Sequence, residues 1–121
     1  MQIHESAEDY LESILILRNK SGSVRSIDIV NYFDYSKPSI SIAIKNLRIN
    51  GYVTVDEKGY IELTETGREI AERVYERHTL LPKWPIALGV DEITAAKDAC
   101  RIEHIISDSS FEAIKKHIEG K

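Results

Sequence analysis

The sequence predicts a mainly α-helical fold that contains one small β-hairpin. Apolar residues recur at intervals of three and four positions along most of its 121 residues, and this interval is that of one buried helix face. The segment YVTVDEKGYIELT, residues 52–64, breaks the pattern, since β-branched and aromatic residues stand on both sides of Lys58-Gly59. Such a segment is typical of two short strands joined by a tight turn.

Two helices are predicted at the start of the chain. The first covers about Ser6 to Asn19, and its buried side carries Tyr10, Ile14 and Leu17. The second is SIDIVNYF. We predict Ser26 as its N-cap, because a serine oxygen accepts a hydrogen bond from the exposed amides of a first turn.

A tight turn at Asp34-Tyr35 leads into the third helix. Ser36 is predicted to cap this helix and Pro38 to occupy its first turn, where a missing amide hydrogen is tolerated. Asn50-Gly51 is a typical stop signal. The predicted buried stripe of the helix comprises Ile40, Ala43, Ile44 and Leu47.

Three more helices are predicted after the hairpin. TETGREIAERVYERHTLL should end before Pro82, and the others cover about Asp91 to Ile106 and Ser109 to Glu119. Two short helices followed by a hairpin form a winged helix-turn-helix. We therefore predict a winged helix-turn-helix domain over residues 1–71 and an α-helical domain over residues 72–121.

Composition and charge limit the classes of function. The formal net charge is -4, which opposes binding to DNA because duplex affinity comes largely from basic groups. The basic residues are unevenly distributed, however, and one quarter of the chain holds Arg25, Lys37, Lys45 and Arg48. No stretch is apolar and long enough to span a membrane, and the N-terminus lacks a secretory signal. We expect a cytoplasmic protein whose single cysteine stays reduced.

The segment AAKDACRIEHIIS contains a candidate metal site. Cys100, Glu103 and His104 are spaced three and four residues apart, which places a thiol, a carboxylate and an imidazole on one helix face. This mixture of sulfur, oxygen and nitrogen suits a divalent transition metal. The alternative is an ordinary helix, because surface helices often carry Glu-His and a lone cysteine is often only a small buried hydrophobe.

Four segments together resemble the diphtheria toxin repressor and manganese transport regulator family. They are ESAEDYLESI, SKPSISIAIKNLRINGYV, LTETGREIAERVYERH and DACRIEHIISD, and they occur in the order of the family's motifs. The resemblance covers almost the whole chain. It implies a homodimeric, metal-dependent repressor that binds double-stranded operator DNA when loaded with Mn²⁺ or Fe²⁺, and a C-terminal domain for dimerisation and metal binding.

The resemblance also implies a set of metal ligands from three helices. Asp9, Glu12 and His78 join the triplet of Cys100, Glu103 and His104. Metal bridging helices of the two domains would then orient the recognition helices for the operator. Two alternatives stay open: acidic residues in a first helical turn are favoured by the helix dipole, and His78, four residues after Val74, could face the core.

The identity and number of the ions stay open at this stage. Asp9 resembles the manganese-type pattern, whereas Cys100 resembles that of iron-responsive members. Zn²⁺ or Co²⁺ could bind in vitro without being the physiological signal. One or two ions per subunit are possible, and Pro82 and Ala96 stand where relatives often carry further ligands.

The third helix is the predicted recognition helix. Its start matches the family's DNA-contacting residues, and Lys45 and Arg25 are candidate phosphate contacts. Ile42 is predicted to point outward, where it could contact a thymine methyl group. The predicted DNA-binding residues are Arg25, Ser36, Lys37, Pro38, Ser39, Ser41, Ile42 and Lys45.

Two other classes of function are weighed against this one. A winged-helix regulator could respond to an organic ligand or a partner protein instead of metal. A metalloenzyme could use the same ligands, but the chain offers no evident general base beyond them. We expect no enzyme activity, no small-molecule substrate and no membrane partner. Phe111, Ile114, Ile118 and the isoleucines near Ile105 are predicted to form the dimer surface.

Overall fold

The computed structural model describes residues 5–120, with seven helices and two strands in that range. In chain order the elements are α1 (Glu5–Ser21), α2 (Ser26–Phe33), α3 (Lys37–Ile49), β1 (Val53–Val55), β2 (Ile61–Leu63), α4 (Glu65–Leu80), α5 (Lys83–Ala87), α6 (Glu92–Ile105) and α7 (Asp108–Ile118). The chain divides into two compact units, Met1–Glu72 and Arg73–Lys121, with the division inside α4. The predicted fold class is confirmed. In the described range, no helix combines the length and the apolar character needed to cross a membrane.

The first unit is a winged helix-turn-helix. Its core is formed by buried apolar side chains from α1, α2, α3, the hairpin, the start of α4 and the segment between α1 and α2. These residues are Leu11, Ile14, Val24, Ile29, Ile40, Ile44, Leu47, Val53, Ile61 and Ala71. The predicted stripe on α3 is therefore buried, apart from Ala43, which is half-buried. This packing leaves the opposite face of α3 exposed.

The ends of α3 are as predicted. Ser36 is the N-cap, and its Oγ accepts a hydrogen bond from the Ser39 amide at 3.3 Å. Asn50 caps the other end, and Gly51 has a φ of 80°, which glycine adopts without steric cost. The N-cap of α2 differs from the prediction. Arg25 takes that position, and its amide donates to Asp28 Oδ2 at 2.8 Å, so Ser26 is already helical.

The wing is an antiparallel hairpin in which Val53 lies opposite Leu63 and Val55 opposite Ile61. Its turn is held by Asp56, whose Oδ1 accepts hydrogen bonds from the amides of Lys58 and Tyr60, each at 2.9 Å. An amide of β2 also donates to the carbonyl of Val24 at 2.8 Å. The wing is therefore tied to the chain segment that precedes α2.

The second unit packs the end of the α4 segment against α6 and α7 around Leu81, Ala99 and Phe111. Phe111 is 3% exposed, so its assignment to a dimer surface is wrong, because this chain's own core uses it. Helix α5 was not predicted. Pro82 directly precedes this helix and Pro85 lies within it. Prolines disfavour a long helix but are tolerated in a helix of five residues.

Helix α6 begins at a strong cap. The side chain of Asp91 accepts a hydrogen bond from the Thr94 amide at 2.9 Å, and this bond lowers the pKa of the Asp91 carboxyl below its usual value. Ser107 caps α7 in the same way, accepting from the Ser110 amide at 3.2 Å. Both helix starts lie within one residue of the predicted positions.

We expect Gly67→Ala to destabilise the first unit by about 1–3 kcal/mol, the usual cost of overpacking. A Cβ at this position would lie 2.0 Å from the carbonyl oxygen of Tyr52. The backbone on both sides would have to move. The measurement is the free energy of unfolding from denaturant titration, with Thr66→Ala at the exposed neighbouring position as the control, which should change stability by less than about 0.5 kcal/mol.

Candidate metal centre and nucleic-acid interface

A buried carboxylate lies between two imidazole rings in the second unit. Oε2 of Glu103 is 3.2 Å from Nδ1 of His78, and Oε1 of Glu103 is 3.4 Å from Nε2 of His104. The side chains of Glu103 and His104 are each 2% exposed, whereas that of His78 is 55% exposed. The three groups form a cluster that is closed on one side and open to solvent on the other.

Two helices place these groups. His78 is in the last turn of α4, and Glu103 and His104 are adjacent residues near the end of α6. Ala95 and Ala99, on the buried side of α6, are 0% and 2% exposed. Because alanine side chains are small, α6 can approach its neighbours closely enough for a glutamate on the next turn to be buried.

The chemistry of this cluster fits a divalent transition metal ion. In the described part of the chain, Oε2 of Glu103 has no hydrogen-bond partner, since its contact with His78 lacks hydrogen-bond geometry. A buried carboxylate oxygen in that position is costly unless a cation compensates it. Imidazole nitrogen and carboxylate oxygen are ligands that Mn²⁺, Fe²⁺ and Zn²⁺ accept. His78, Glu103 and His104 would hold the ion.

The three other predicted ligands lie on α6 and α1. Cys100 is exposed on α6. In the first unit, Glu12 on α1 is buried at 7% exposure and Asp9 is half-buried. Burial raises the pKa of the Tyr32 phenol, and the carboxylates of Glu12 and Asp9 raise it further. His78 does not face the core, so that alternative reading of its role is wrong. Membership of Asp9, Glu12 and Cys100 in the ligand set stays a prediction.

The exposed face of α3 carries basic and polar side chains together with two isoleucines, Ile42 and Ile49. Its sequence, KPSISIAIKNLRI, contains no acidic residue. Ile42 is 63% exposed, as its predicted outward direction requires. The hydroxyls of Ser36 and Ser39 hydrogen-bond each other at 2.8 Å, so they cap the helix as well as facing solvent. Every predicted DNA-binding residue of this segment is exposed: Ser36, Lys37, Pro38, Ser39, Ser41, Ile42 and Lys45.

Arg25 has a structural role that the sequence did not indicate. Its Nη2 donates to the carbonyl of Lys58 at the wing turn, and its guanidinium lies 4.6 Å from the centre of the Tyr60 ring. The side chain is nevertheless exposed. It therefore fastens the wing to the start of α2 and keeps a positive charge at the surface.

A second residue missed by sequence reasoning is Arg77, which is 4% exposed. Its Nη1 donates to the carbonyls of Glu103 at 3.1 Å and Ile106 at 2.7 Å. The signal that could have found it is its spacing. Arg77 comes three residues after buried Val74 and four before buried Leu81, which puts it on the buried face of the helix.

Comparison with known families assigns both halves of the chain. Residues 2–61 match the N-terminal DNA-binding domain of the iron-dependent repressors, and residues 64–120 match their metal-binding and dimerisation domain. An uncharacterised helix-turn-helix-type transcriptional regulator of Methanocaldococcus jannaschii is 31% identical over 117 residues, which are 95% of this chain and 94% of that protein.

Solved structures of metal-dependent regulators are also similar to this chain. A manganese-dependent transcriptional repressor in complex with manganese has a TM-score of 0.79 and 26% identity over 93% of this chain and 52% of its own. IdeR of T. acidophilum has a TM-score of 0.72 and 26% identity over 98% of this chain and 54% of its own. The chain thus spans about half the length of these solved regulators.

Both domains of one family are therefore present, in the family's order, and its members are transcriptional regulators rather than enzymes. The resemblance found in the sequence is confirmed, and the metalloenzyme alternative is rejected. The chain belongs to the iron-dependent repressor family of metal-dependent transcriptional regulators, which includes the diphtheria toxin repressor and manganese regulators.

Proposed function

We propose that this protein is a homodimeric repressor that binds operator DNA when it is loaded with Mn²⁺ or Fe²⁺ and so controls genes of metal homeostasis. The observation that carries the proposal is the carboxylate of Glu103, buried between His78 and His104. It lies in the half of the chain that matches a metal-binding domain. We place the protein in the cytoplasm, where operator DNA and the ion meet.

The proposed ligand set comprises Asp9, Glu12, His78, Cys100, Glu103 and His104. Mixed oxygen and nitrogen ligands hold a divalent ion less tightly than a closed thiolate site does, and a sensor has to release its ion. Zn²⁺ and Co²⁺ should bind in vitro, since affinity rises along the first-row metals toward copper. One or two ions per subunit are compatible with six ligands.

We propose that shared coordination is the switch. Asp9 and Glu12 belong to the DNA-binding half and the other ligands to the metal-binding half. An ion bound by both groups would select one orientation of the recognition helices, and a ligand shifts an equilibrium only toward the state it binds better. Two divalent ions would also bring the formal charge of the chain from -4 to 0.

DNA binding is proposed to use α3 in the major groove. Lys37 and Lys45 would contact phosphates, the serines at the helix start would contact phosphates or base edges, and Arg25 would supply positive charge beside the wing. In a symmetric dimer the two recognition helices would reach successive major grooves. The exposed apolar side chains of the second unit, such as Ile105 at 79% exposure, would contribute to the dimer surface.

We expect DNA binding to require the ion. Purified protein would be titrated anaerobically with Mn²⁺, Fe²⁺ and Zn²⁺ while its binding to its own promoter is followed. Binding should appear with Mn²⁺ or Fe²⁺ and disappear on chelation. Glu103→Gln should weaken Mn²⁺ binding by more than about 100-fold, beyond the usual effect of residues outside the ligand shell.

The matched control for the histidine ligands is His117, an exposed histidine of α7. His117→Ala should leave both metal and operator binding unchanged, whereas His78→Ala should weaken both. Equal operator binding by metal-free and metal-loaded protein would refute metal control and favour an organic ligand or a partner protein as the signal.

We expect Ile42 to read a thymine methyl group. Replacing thymine by deoxyuridine at each operator position removes the methyl and should weaken wild-type binding at one position of each half-site. Ile42→Asn should lose this sensitivity. Ile49→Asn, at an equally exposed isoleucine near the other end of the helix (67% exposed), should keep it. Unchanged methyl sensitivity in Ile42→Asn would eliminate the contact.

Metal affinity should fall as the solution is acidified. Imidazole and thiol have to lose their protons before they coordinate, so protons compete with the ion. Isothermal titration at several pH values would measure the affinity for Mn²⁺ together with the number of protons released. Affinity that is independent of pH would exclude His78 and His104 from the ligands.

A further inference from the structure

Arg77 is a charged side chain buried at the junction of three helices. It is 4% exposed. Nη1 donates to two carbonyl oxygens, of Glu103 at 3.1 Å and of Ile106 at 2.7 Å, and Nη2 donates to Oδ1 of Asp108 at 2.5 Å. The guanidinium also lies 5.3 Å from the centre of the Phe111 ring. A buried arginine with so many partners fixes their relative positions.

These partners form the turn between α6 and α7. Glu103 and Ile106 are in the last turn and C-cap of α6, and Asp108 is the first residue of α7. The last carbonyls of a helix have no acceptor role within it. A planar guanidinium donates in fixed directions, so it can hold two such carbonyls and a carboxylate at the same time.

The same turn of α4 contacts Glu103 twice. Arg77 holds its backbone carbonyl, and His78, the next residue, contacts its carboxylate at 3.2 Å. Successive side chains on a helix point about 100° apart, so the two residues reach different parts of one glutamate. The distance between the imidazole of α4 and the carboxylate of α6 therefore depends on the hydrogen bonds of Arg77.

We infer that Arg77 is a positioning residue of the metal centre. It holds the last turn of α6 so that the Glu103 carboxylate stays directed at His78 and His104, without being a ligand itself. This inference rests on the proposed function, since it presumes that these three side chains bind an ion. Residues outside the ligand shell that orient ligands typically change metal affinity by about 10–100-fold.

The competing explanation is that Arg77 only stabilises the second unit. Two variants separate the explanations. Asp108→Asn removes the charge of one partner, whose side chain is 80% exposed, and leaves both carbonyl contacts in place. Phe111→Leu weakens the core beside the guanidinium and likewise spares the carbonyls. Both should lower the midpoint of unfolding, and neither should change the metal centre.

The experiment compares Mn²⁺ affinity, and the visible absorption spectrum with saturating Co²⁺, among wild type, Arg77→Lys, Asp108→Asn and Phe111→Leu. Lysine keeps the charge, but its single ammonium nitrogen cannot donate to the two carbonyls and to Asp108 in the fixed directions that Nη1 and Nη2 of the guanidinium provide. Arg77→Lys should bind Mn²⁺ about 10–100-fold more weakly and change the Co²⁺ spectrum, which reports ligand geometry. The two controls should keep the wild-type spectrum and lose less than the roughly 10-fold in affinity that is the lower limit for residues that orient ligands.

Several outcomes would overturn the inference. A folded Arg77→Lys protein with wild-type Mn²⁺ affinity and Co²⁺ spectrum would do so. The same holds if the loss of Mn²⁺ affinity in every variant, including the two controls, is proportional to the drop in its unfolding midpoint. If Arg77→Lys fails to fold, Arg77→Gln is measured by the same two criteria. Absence of Mn²⁺ and Co²⁺ binding in the wild type would instead refute the proposed function, and this inference with it.

Discussion

The constraint on which the second unit depends is the burial of the Glu103 carboxylate. An ionised carboxylate removed from water is strongly unfavourable unless partners compensate it. Here its partners are two imidazoles within 3.4 Å. In the proposed function a divalent cation would supply the charge that compensates it. The proposed ion would therefore stabilise the arrangement in which α4 and α6 bring these side chains together.

The chain has a negative net charge, but its basic and acidic residues lie in different parts of the sequence and of the surface. This distribution is compatible with DNA binding. Recognition helix α3 has no acidic residue, while acidic residues are concentrated elsewhere, including four in α4. The wing would be unfavourable near phosphates because Asp56 and Glu57 directly precede Lys58, but Arg25 lies against that turn and offsets their charge. Local charge, which governs approach to a duplex, thus differs from the net charge.

Much of the fold could be predicted because local rules and tertiary packing agree. Ser36 caps α3 and its apolar stripe is buried, as the spacing requires. Predictions failed where two residues compete for one position, such as a helix N-cap, or where tertiary packing decides which side chains are buried. Asp28 bonds the amide of Arg25 and moves the cap one residue away from Ser26. The apolar spacing around Phe111 was recognised, but packing decides that this residue fills the core of its own chain and not a dimer surface. The candidate site was found through Glu103 and His104, but burial could not be predicted from their spacing alone.

The buried face of α4 determines which of two neighbouring residues, Arg77 or His78, is exposed. Its buried face runs through Gly67, Ala71, Val74 and Arg77 to Leu81 just beyond it. Reading the face through Val74 and His78 places the histidine inside, an error of one residue that arises because an arginine is rarely assigned to a core. With Arg77 inside, His78 remains 55% exposed beside a carboxylate that is 2% exposed. In the proposed function, the centre would therefore have one solvent-facing ligand, through which its ion could exchange with the surroundings, as reversible sensing requires.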